Sequence, residues 1–286
     1  MQFSFSTASL HTYGLDRCFE FAQQAGFDGM EVMADQRWDT RQPDYLRRLS
    51  ARYKLPVLVI HAPLAFFTVP GWPEDEVGRL RETLKLAEAV GAGVVVHHLP
   101  WRVGLHWLRL GSMRLPLPGP AQNAYRRWLL EEYPSLQAST AVTLCIENMP
   151  ALMRWGRRWN LYYWNTPAEI GRFQNLTMDT THLGTWGLDP TGVYAQLGSR
   201  VRHVHLSNFD GKEHRRPETG RLRLDRLLAQ LTAERYPAAV SLELSPDALD
   251  AGQPDERVLA LLAASLTYCR TRAASQAAPK HELAGP

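Results

Sequence analysis

Eight short apolar runs, separated by longer amphipathic stretches, limit the folds that are open to this chain. The runs cover residues 2–7, 29–33, 57–63, 93–100, 142–150, 176–182, 201–207 and 239–246. They are rich in Val, Ile and Leu and have apolar cores of about four to six residues, which is typical of strands buried in a parallel sheet. Alternation of such strands with helices predicts repeated strand–helix–strand units.

The segments between these runs carry helical periodicity. We expect helices over residues 15–26, 74–91, about 121–139, 221–235 and 255–272. The second of these begins with acidic residues and ends at Gly91, and the first ends at Gly26, as the helix dipole and the C-terminal cap favour. The order of the elements therefore alternates along most of the chain.

Eight such units predict a chain of the α/β class that folds as a single (β/α)8 TIM barrel over residues 1–272, since these barrels need about 250 residues. The competing architecture, a doubly wound open sheet, usually carries a Gly-rich phosphate loop, and neither GxGxxG nor GxxxxGK[ST] is present. Residues 101–120 and 151–165 are expected to form long loops after strands 4 and 5. Residues 273–286 have the composition of a disordered tail.

The cysteines, the N-terminus and the apolar runs bear on the cellular compartment of the protein. Three widely spaced cysteines without a CxxC pair argue against a disulfide framework. The N-terminus lacks the pattern of a signal peptide, and no apolar run reaches the roughly 18 residues of a membrane span. We therefore expect a cytoplasmic protein that does not enter a membrane. The net charge of +3 permits an anionic partner without requiring one.

Ionisable side chains stand at the ends of most of the apolar runs. The carboxyl ends of barrel strands meet at one mouth, where active sites of this fold lie. Buried carboxylates must be paired or bound to metal, and a mixture of carboxylates and imidazoles suits Mn²⁺, Zn²⁺, Co²⁺ or Mg²⁺. The sequence thus predicts a divalent metal site that draws its ligands from among the strand-end residues, which are Glu31, His61, His97, His98, Glu147, Asp179, His182, His205 and Glu243.

Some of these positions are ambiguous on the sequence alone. His97 and His98 are adjacent, so only one can face the barrel interior, and we expect that one to be His97. Glu31 could bond a neighbour, contact substrate or bind metal. His203 and Cys145 precede strand-end residues by two positions and are interpreted as core residues.

At these residues the chain resembles the xylose-isomerase-like barrel superfamily, which includes sugar isomerases, ketose 3-epimerases and type-2 apurinic endonucleases. The resemblance covers about residues 26–246, and its strength lies in the order and spacing of several short motifs. They are HAP at 61–63, VVVHH at 94–98, IEN at 146–148, DTTH at 179–182, HVHLSN at 203–208, HRRPETGRL at 214–222 and LEL at 242–244.

The isomerase and epimerase branch of this superfamily implies one divalent metal, held here by Glu147, Asp179, His205 and Glu243. It also implies that Glu147 and Glu243 act as an acid–base pair across a sugar, polyol or sugar-phosphate substrate. The metal would polarise the substrate and stabilise a metal-bound enediolate. His182, His61 and Lys212 are the expected substrate contacts.

The endonuclease branch implies an alternative, a zinc-dependent phosphodiesterase that acts on DNA. It would use additional ligands, which fall on His61, His97, His182 and His214. An Asp expected two residues before His214 is replaced by Lys212, which weakens this reading. Arginines and tryptophans within residues 101–165 could contact nucleic acid. A third alternative, a binding protein that has lost its metal, is disfavoured by the intact ligand set.

The relatives in this superfamily are often dimers or tetramers, so the resemblance also implies a homo-oligomer. Its other expected partner is a small sugar or sugar-like molecule, with nucleic acid as the alternative.

Overall fold

The computed structural model of the protein describes residues 1–65, 68–110, 113–120 and 124–274, with the side chains of 105–110, 113–118 and 120 left aside. The expected tail over residues 273–286 therefore lies outside the described residues, except that the last helix includes Ala274. Phe66 and Phe67, which follow the HAP motif in the sequence, also lie outside them.

Eight parallel strands close into a barrel, as the sequence predicted. They are β1 (Gln2–Ser6), β2 (Gly29–Met33), β3 (Val57–His61), β4 (Val94–His98), β5 (Thr143–Glu147), β6 (Leu176–Asp179), β7 (Val201–Leu206) and β8 (Ala239–Leu242). Strand order around the barrel follows chain order, and β1 pairs with β8 through the Gln2–Ala239 register. This closure brings all eight carboxyl ends to one mouth.

Helices cover the outside of the barrel. They are α1 (Leu15–Ala25), α2 (Pro43–Tyr53), α3 (Glu76–Val90), α4 (Ala124–Glu131), α5 (Tyr133–Ala138), α6 (Pro167–Ile170), α7 (Thr180–Trp186), α8 (Pro190–Leu197), α9 (Leu224–Ala233) and α10 (Asp255–Ala274). Gly26 and Gly91 end α1 and α3 with φ of 90° and 78°, the left-handed conformation that glycine adopts without strain. Short 3-10 turns lie at Thr7–Leu10, Asp39–Arg41, Gly198–Arg200 and Pro246–Leu249.

The continuous helix expected over residues 121–139 is interrupted. It is divided into α4 and α5 at Glu132, and Pro134 lies in the first turn of α5. A proline has no backbone N–H and its ring clashes with the carbonyl four residues earlier, so it is tolerated at the start of a helix and not in its interior.

The long segments after β4 and β5 are more ordered than the expected loops. Val103–Leu110 pairs with Met113–Pro120 in an antiparallel hairpin, and Leu152–Arg154 pairs with Arg157–Trp159 in a second one. The second hairpin turns at Trp155 and Gly156, whose φ values of 51° and 71° fit a two-residue turn with both central residues left-handed. The long connections expected after strands 4 and 5 are therefore present, and each contains a short hairpin.

The three cysteines lie in the interior of the protein. Cys18, Cys145 and Cys269 are free and buried. Cys145 lies in the barrel core, as expected, and burial raises its pKa to about 12. Within the part of the chain that is described, none of the helices has the length and apolarity that crossing a membrane requires.

Candidate metal centre

The four expected metal ligands converge at the barrel mouth. Glu147 and Asp179 end β5 and β6, His205 lies near the end of β7, and Glu243 directly follows β8. One side-chain ligand atom from each of the four lies within 4.8 Å of the others. The Nδ1 atom of His205 is 2.9 Å from Oε1 of Glu147, 2.9 Å from Oε2 of Glu243 and 3.8 Å from Oδ2 of Asp179. These four side chains could hold a metal ion.

The charge of this cluster also fits a divalent metal. All four side chains are buried, and three of them are carboxylates, whose desolvation is costly without a compensating cation. Oε2 of Glu147 and Oδ2 of Asp179 are buried and accept no hydrogen bond from the described residues. Zn²⁺, Mn²⁺ and similar ions bind carboxylate oxygens together with imidazole nitrogens. The donor set therefore fits the metal that the fold family implies.

The pKa values of these groups are set by one another. Burial raises the pKa of the Asp179 carboxyl. Burial also opposes ionisation of Glu243, but the His205 cation prevails and lowers the pKa of Glu243 to about 2. Three carboxylates (Glu31, Glu243 and Glu147) overcome the effect of burial on His205 and hold its pKa well above the usual range. The cluster thus stabilises positive charge at its centre.

Local structure explains why Asp179 presents a single oxygen to the centre. Its Oδ1 atom accepts a 2.7 Å hydrogen bond from the backbone N–H of His182 and caps the N-terminus of α7. Asn148 then holds the backbone of Asp179 by accepting from its N–H at 2.8 Å and donating to its carbonyl at 3.1 Å. The IEN and DTTH motifs are therefore one connected unit, with Oδ2 of Asp179 left for the centre.

Further histidines surround Glu147. His61 Nε2 and His98 Nε2 lie 3.4 and 3.2 Å from its Oε2 atom, and His182 Nδ1 lies 3.6 Å from its Oε1 atom. His61, His98 and Glu147 form a second group that could hold a metal. Asp179, His182 and His214 form a third, with His214 held by a 3.1 Å contact of its Nδ1 atom with the carbonyl of Glu243.

The expectation that His97 faces the site is wrong, and His98 takes that place. His97 points away from the barrel interior, where its Nδ1 atom lies 2.6 Å from the hydroxyl of Tyr125 on α4. Burial lowers the pKa of His97 to about 3. In the parallel register of β4 and β5, His98 is the partner of Glu147, and paired residues share a face of the sheet. The sequence does not show this register, so it could not distinguish His98 from His97.

The expected substrate contact at Lys212 is not brought to the site. Lys212 is exposed, and its backbone N–H bonds Oδ1 of Asp210 at 3.0 Å. Its neighbour Glu213 approaches instead, with Oε2 at 3.8 Å from Nε2 of His182. Sequence reasoning missed Glu213 because it belongs to none of the short motifs.

A cavity of about 200 Å³ opens onto the cluster. One side is polar and includes His61, His98, Glu147, His182, His214 and Glu243. The rest of the lining is largely apolar and includes Met33, Leu64, Trp101, Met149 and Tyr162. The rings of Trp101 and Tyr162 lie 4.6 Å apart. Among the described residues, no lysine or arginine lines this cavity.

Glu31 lies on the far side of His205 from the cluster and is fully buried. Its Oε2 atom is 2.8 Å from Nε2 of His203, and its Oε1 atom is 2.9 Å from Nε2 of His205. His203, which we interpreted as a core residue, is therefore also a polar partner. These three residues form a group separate from the cavity lining.

Solved structures of several enzymes share this fold. A D-tagatose 3-epimerase-like protein superposes with a TM-score of 0.67 and 18% identity, covering 97% of this chain and 100% of that one. The 3-keto-D-glucoside 4-epimerase of E. coli superposes with a TM-score of 0.65 and 19% identity, covering 95% of this chain and 99% of that one. A family 2 AP endonuclease from Brucella melitensis superposes with a TM-score of 0.64 and 15% identity, covering 86% of this chain and 93% of that one. At these identities the likeness is one of fold.

Sequence comparison finds relatives over nearly the whole chain. An uncharacterized protein of Mycobacterium tuberculosis is 25% identical over 295 residues, covering 93% of this chain and 95% of the relative. One from Mycobacterium leprae is 26% identical over 288 residues, with the same coverage. Residues 19–264 match the family described as xylose isomerase-like TIM barrel. Since this match includes most of the chain and agrees with the closed barrel, the protein belongs to the xylose isomerase-like TIM-barrel family.

Proposed function

We propose that the protein is a divalent-metal-dependent isomerase or epimerase that acts on a sugar or a closely related polyol. The observation that carries this proposal is the convergence of Glu147 and Glu243. Both carboxylates reach Nδ1 of His205 at 2.9 Å, and both line the same cavity. Two carboxylates on one small cavity are what proton transfer at a carbon next to a carbonyl requires.

Glu147, Asp179, His205 and Glu243 would hold the metal. Bound there, the metal would supply a Lewis acid that polarises a carbonyl and stabilises developing negative charge. Asp179 and His205 are fully buried, so they would serve only as ligands, whereas the two glutamates also face the cavity.

The two glutamates account for the chemistry of the reacting carbon. One ionised carboxylate removes the proton from the carbon next to the carbonyl and leaves an enediolate. A proton returned to that carbon from the opposite face inverts its configuration. A proton returned to the former carbonyl carbon moves the carbonyl, provided that the proton of the adjacent hydroxyl passes to the former carbonyl oxygen. Glu243 lines the cavity, so we assign it the role of the base.

The remaining cavity surface suits a polyhydroxy substrate. His61, His98 and His182 offer imidazole nitrogens as donors or acceptors for hydroxyl groups. Trp101 and Tyr162 offer an apolar wall on which the C–H face of a sugar can pack. The similarity in fold to proteins named as sugar epimerases supports the same class of substrate.

A zinc-dependent phosphodiesterase related to the AP endonucleases is the second candidate. It is favoured by the two further ligand groups, because Glu147 and Asp179 each belong to two groups and could bridge neighbouring ions. It is disfavoured by the cavity lining, which within the described residues has no lysine or arginine for a phosphodiester.

Metal content and isotope exchange test the proposal together. The protein purified without chelator should contain about one Mn²⁺, Co²⁺, Mg²⁺ or Zn²⁺ per chain. Incubated in D₂O with a panel of unphosphorylated and phosphorylated ketoses, it should introduce deuterium next to the carbonyl of at least one of them. Two or three zinc ions per chain, nicking of an abasic duplex and no exchange would overturn it in favour of the phosphodiesterase.

A further inference from the structure

The buried carboxylate of Glu31 has no place in the chemistry described above, yet it contacts the metal centre directly. It lies beneath the centre, on β2, and its side chain has no exposed surface. Oε1 of Glu31 and Nε2 of His205 are 2.9 Å apart, an ion-pair distance, and both atoms are buried without a well-aligned hydrogen bond among the described residues. Each of the two groups therefore offsets part of the free-energy cost of burying the other.

The chemistry of a carboxylate decides which nitrogen of His205 keeps its hydrogen when a metal binds. An ionised carboxylate only accepts hydrogen bonds, so Nε2 of His205, which faces Glu31, carries a hydrogen. Nδ1 faces Glu147, Glu243 and Asp179 and also carries a hydrogen while no metal is bound, because it bonds Oε1 of Glu147 at 2.9 Å. A metal held by these carboxylates would replace the hydrogen on Nδ1 and leave the one on Nε2.

We propose that Glu31 is a positioning residue that fixes His205 in the tautomer and ring orientation needed for Nδ1 to bind the metal. This inference rests on the proposed metal-dependent function. Carboxylates placed behind metal-binding histidines act in this way in other metalloproteins, and removing them weakens metal binding about 10–100-fold.

His203 completes the arrangement from the other side of Glu31. Its Nε2 atom donates to Oε2 of Glu31 at 2.8 Å, so each carboxylate oxygen has one imidazole partner. The rings of His203 and His205 are 5.0 Å apart and nearly perpendicular, at 88°. Two histidines of the same strand thus hold one carboxylate of β2 in a fixed orientation. The HVH sequence at 203–205 supplies both partners, since residues two apart in a strand face the same side.

The first experiment compares Mn²⁺ affinity in two variants and the unmodified chain by electron paramagnetic resonance of free Mn²⁺. Glu31→Gln keeps the size of the side chain but can present an N–H to His205, so we expect affinity to fall about 10–100-fold. Ser4→Ala is the matched control. It removes another buried polar contact of the barrel, the 2.6 Å hydroxyl pair of Ser4 and Ser241, and should bind Mn²⁺ like the unmodified chain.

Thermal unfolding of the metal-free variants shows whether each one folds. If E31Q does not fold, the tautomer of His205 in the unmodified, zinc-loaded chain decides the question, read from ¹⁵N chemical shifts of labelled histidine. We expect the hydrogen on Nε2.

Three outcomes would overturn the inference. One is an E31Q protein that folds and binds Mn²⁺ with unchanged affinity. Another is a hydrogen on Nδ1 of His205 in the zinc-loaded chain. The last is a second equivalent of metal that disappears only in E31Q, which would make Glu31 a ligand. All three leave the proposed function intact, whereas an unmodified chain that binds no divalent metal would overturn both.

Discussion

The Nδ1 atom of His205 lies 2.9 Å from Oε2 of Glu243, across the boundary between β7 and the end of β8. The same nitrogen is equally close to Glu147. A single imidazole nitrogen therefore stands between the two carboxylates to which we assign proton transfer. Metal binding and proton transfer share these side chains, so metal affinity and deuterium exchange have to be measured separately in each variant.

Glu243→Gln should remove the base and spare the fold. The amide keeps one oxygen that can bind the metal but cannot accept the substrate proton at neutral pH. We expect deuterium exchange into the substrate found in the ketose screen to fall about 10²–10⁴-fold at saturating metal, the usual contribution of a general base. Full exchange activity in this variant would remove Glu243 from the mechanism.

Asp179→Asn should lower metal affinity and leave α7 capped. Asparagine can still accept the N–H of His182 through its side-chain oxygen, whereas the charge that faces His205 is lost. We expect Mn²⁺ affinity to fall at least about tenfold, in line with the loss of one charged ligand. Asp189→Asn is the matched control, because Asp189 caps α8 in the same way. Unchanged metal content in D179N would remove Asp179 from the ligand set.

The candidate site was largely predictable from the sequence because most of the buried runs carry a polar residue near the end that faces the mouth. Glu147, Asp179 and His205 were identified in this way. Choosing between His97 and His98 needed the register of β4 against β5, which no local pattern contains. The pairing of Glu31 with His203 joins residues 172 positions apart, so only the closed barrel shows it. Local patterns thus indicate the candidate ligands, and closure of the barrel shows which residues lie against them.

Substitutions at His97 and His98 should have opposite effects. His98→Gln removes an imidazole 3.2 Å from Glu147 in the cavity wall. We expect it to reduce exchange activity at least about tenfold, a change in barrier of about 1.4 kcal/mol, with little loss of stability.

His97→Ala should instead leave a cavity under α4 and remove the 2.6 Å partner of the Tyr125 hydroxyl. We expect it to lower the free energy of unfolding by about 2–4 kcal/mol without changing Mn²⁺ affinity. Urea unfolding and Mn²⁺ titration of both variants test this. A folded H97A protein that has lost its metal would restore His97 as a ligand.

The metal-free protein should lose stability on both sides of neutral pH. Burial opposes ionisation of Glu243, but His205 lowers its pKa to about 2. A carboxyl with a lowered pKa stabilises the folded chain above its unfolded pKa of about 4.3, and this stabilisation disappears as the pH falls towards the folded value. Burial would lower the pKa of His205, but Glu31, Glu243 and Glu147 raise it. The stabilisation that protonated His205 gives to the folded chain is therefore complete below its unfolded pKa of about 6.5, and it is lost as the pH rises through the folded pKa.

Urea unfolding of the chelator-treated chain between pH 3 and pH 9 measures both effects, and Glu243→Gln assigns them. The variant lacks the carboxyl, so we expect the decline in stability between about pH 5 and pH 3 to become shallower. It also has one anion fewer beside His205, so its stability should begin to fall at a lower alkaline pH than that of the parent. Glu131→Gln, a change at an exposed residue of α4, should retain the profile of the parent. An E243Q profile that superposes on the parent at both ends would show that Glu243 and His205 do not interact in solution as they do in this structure.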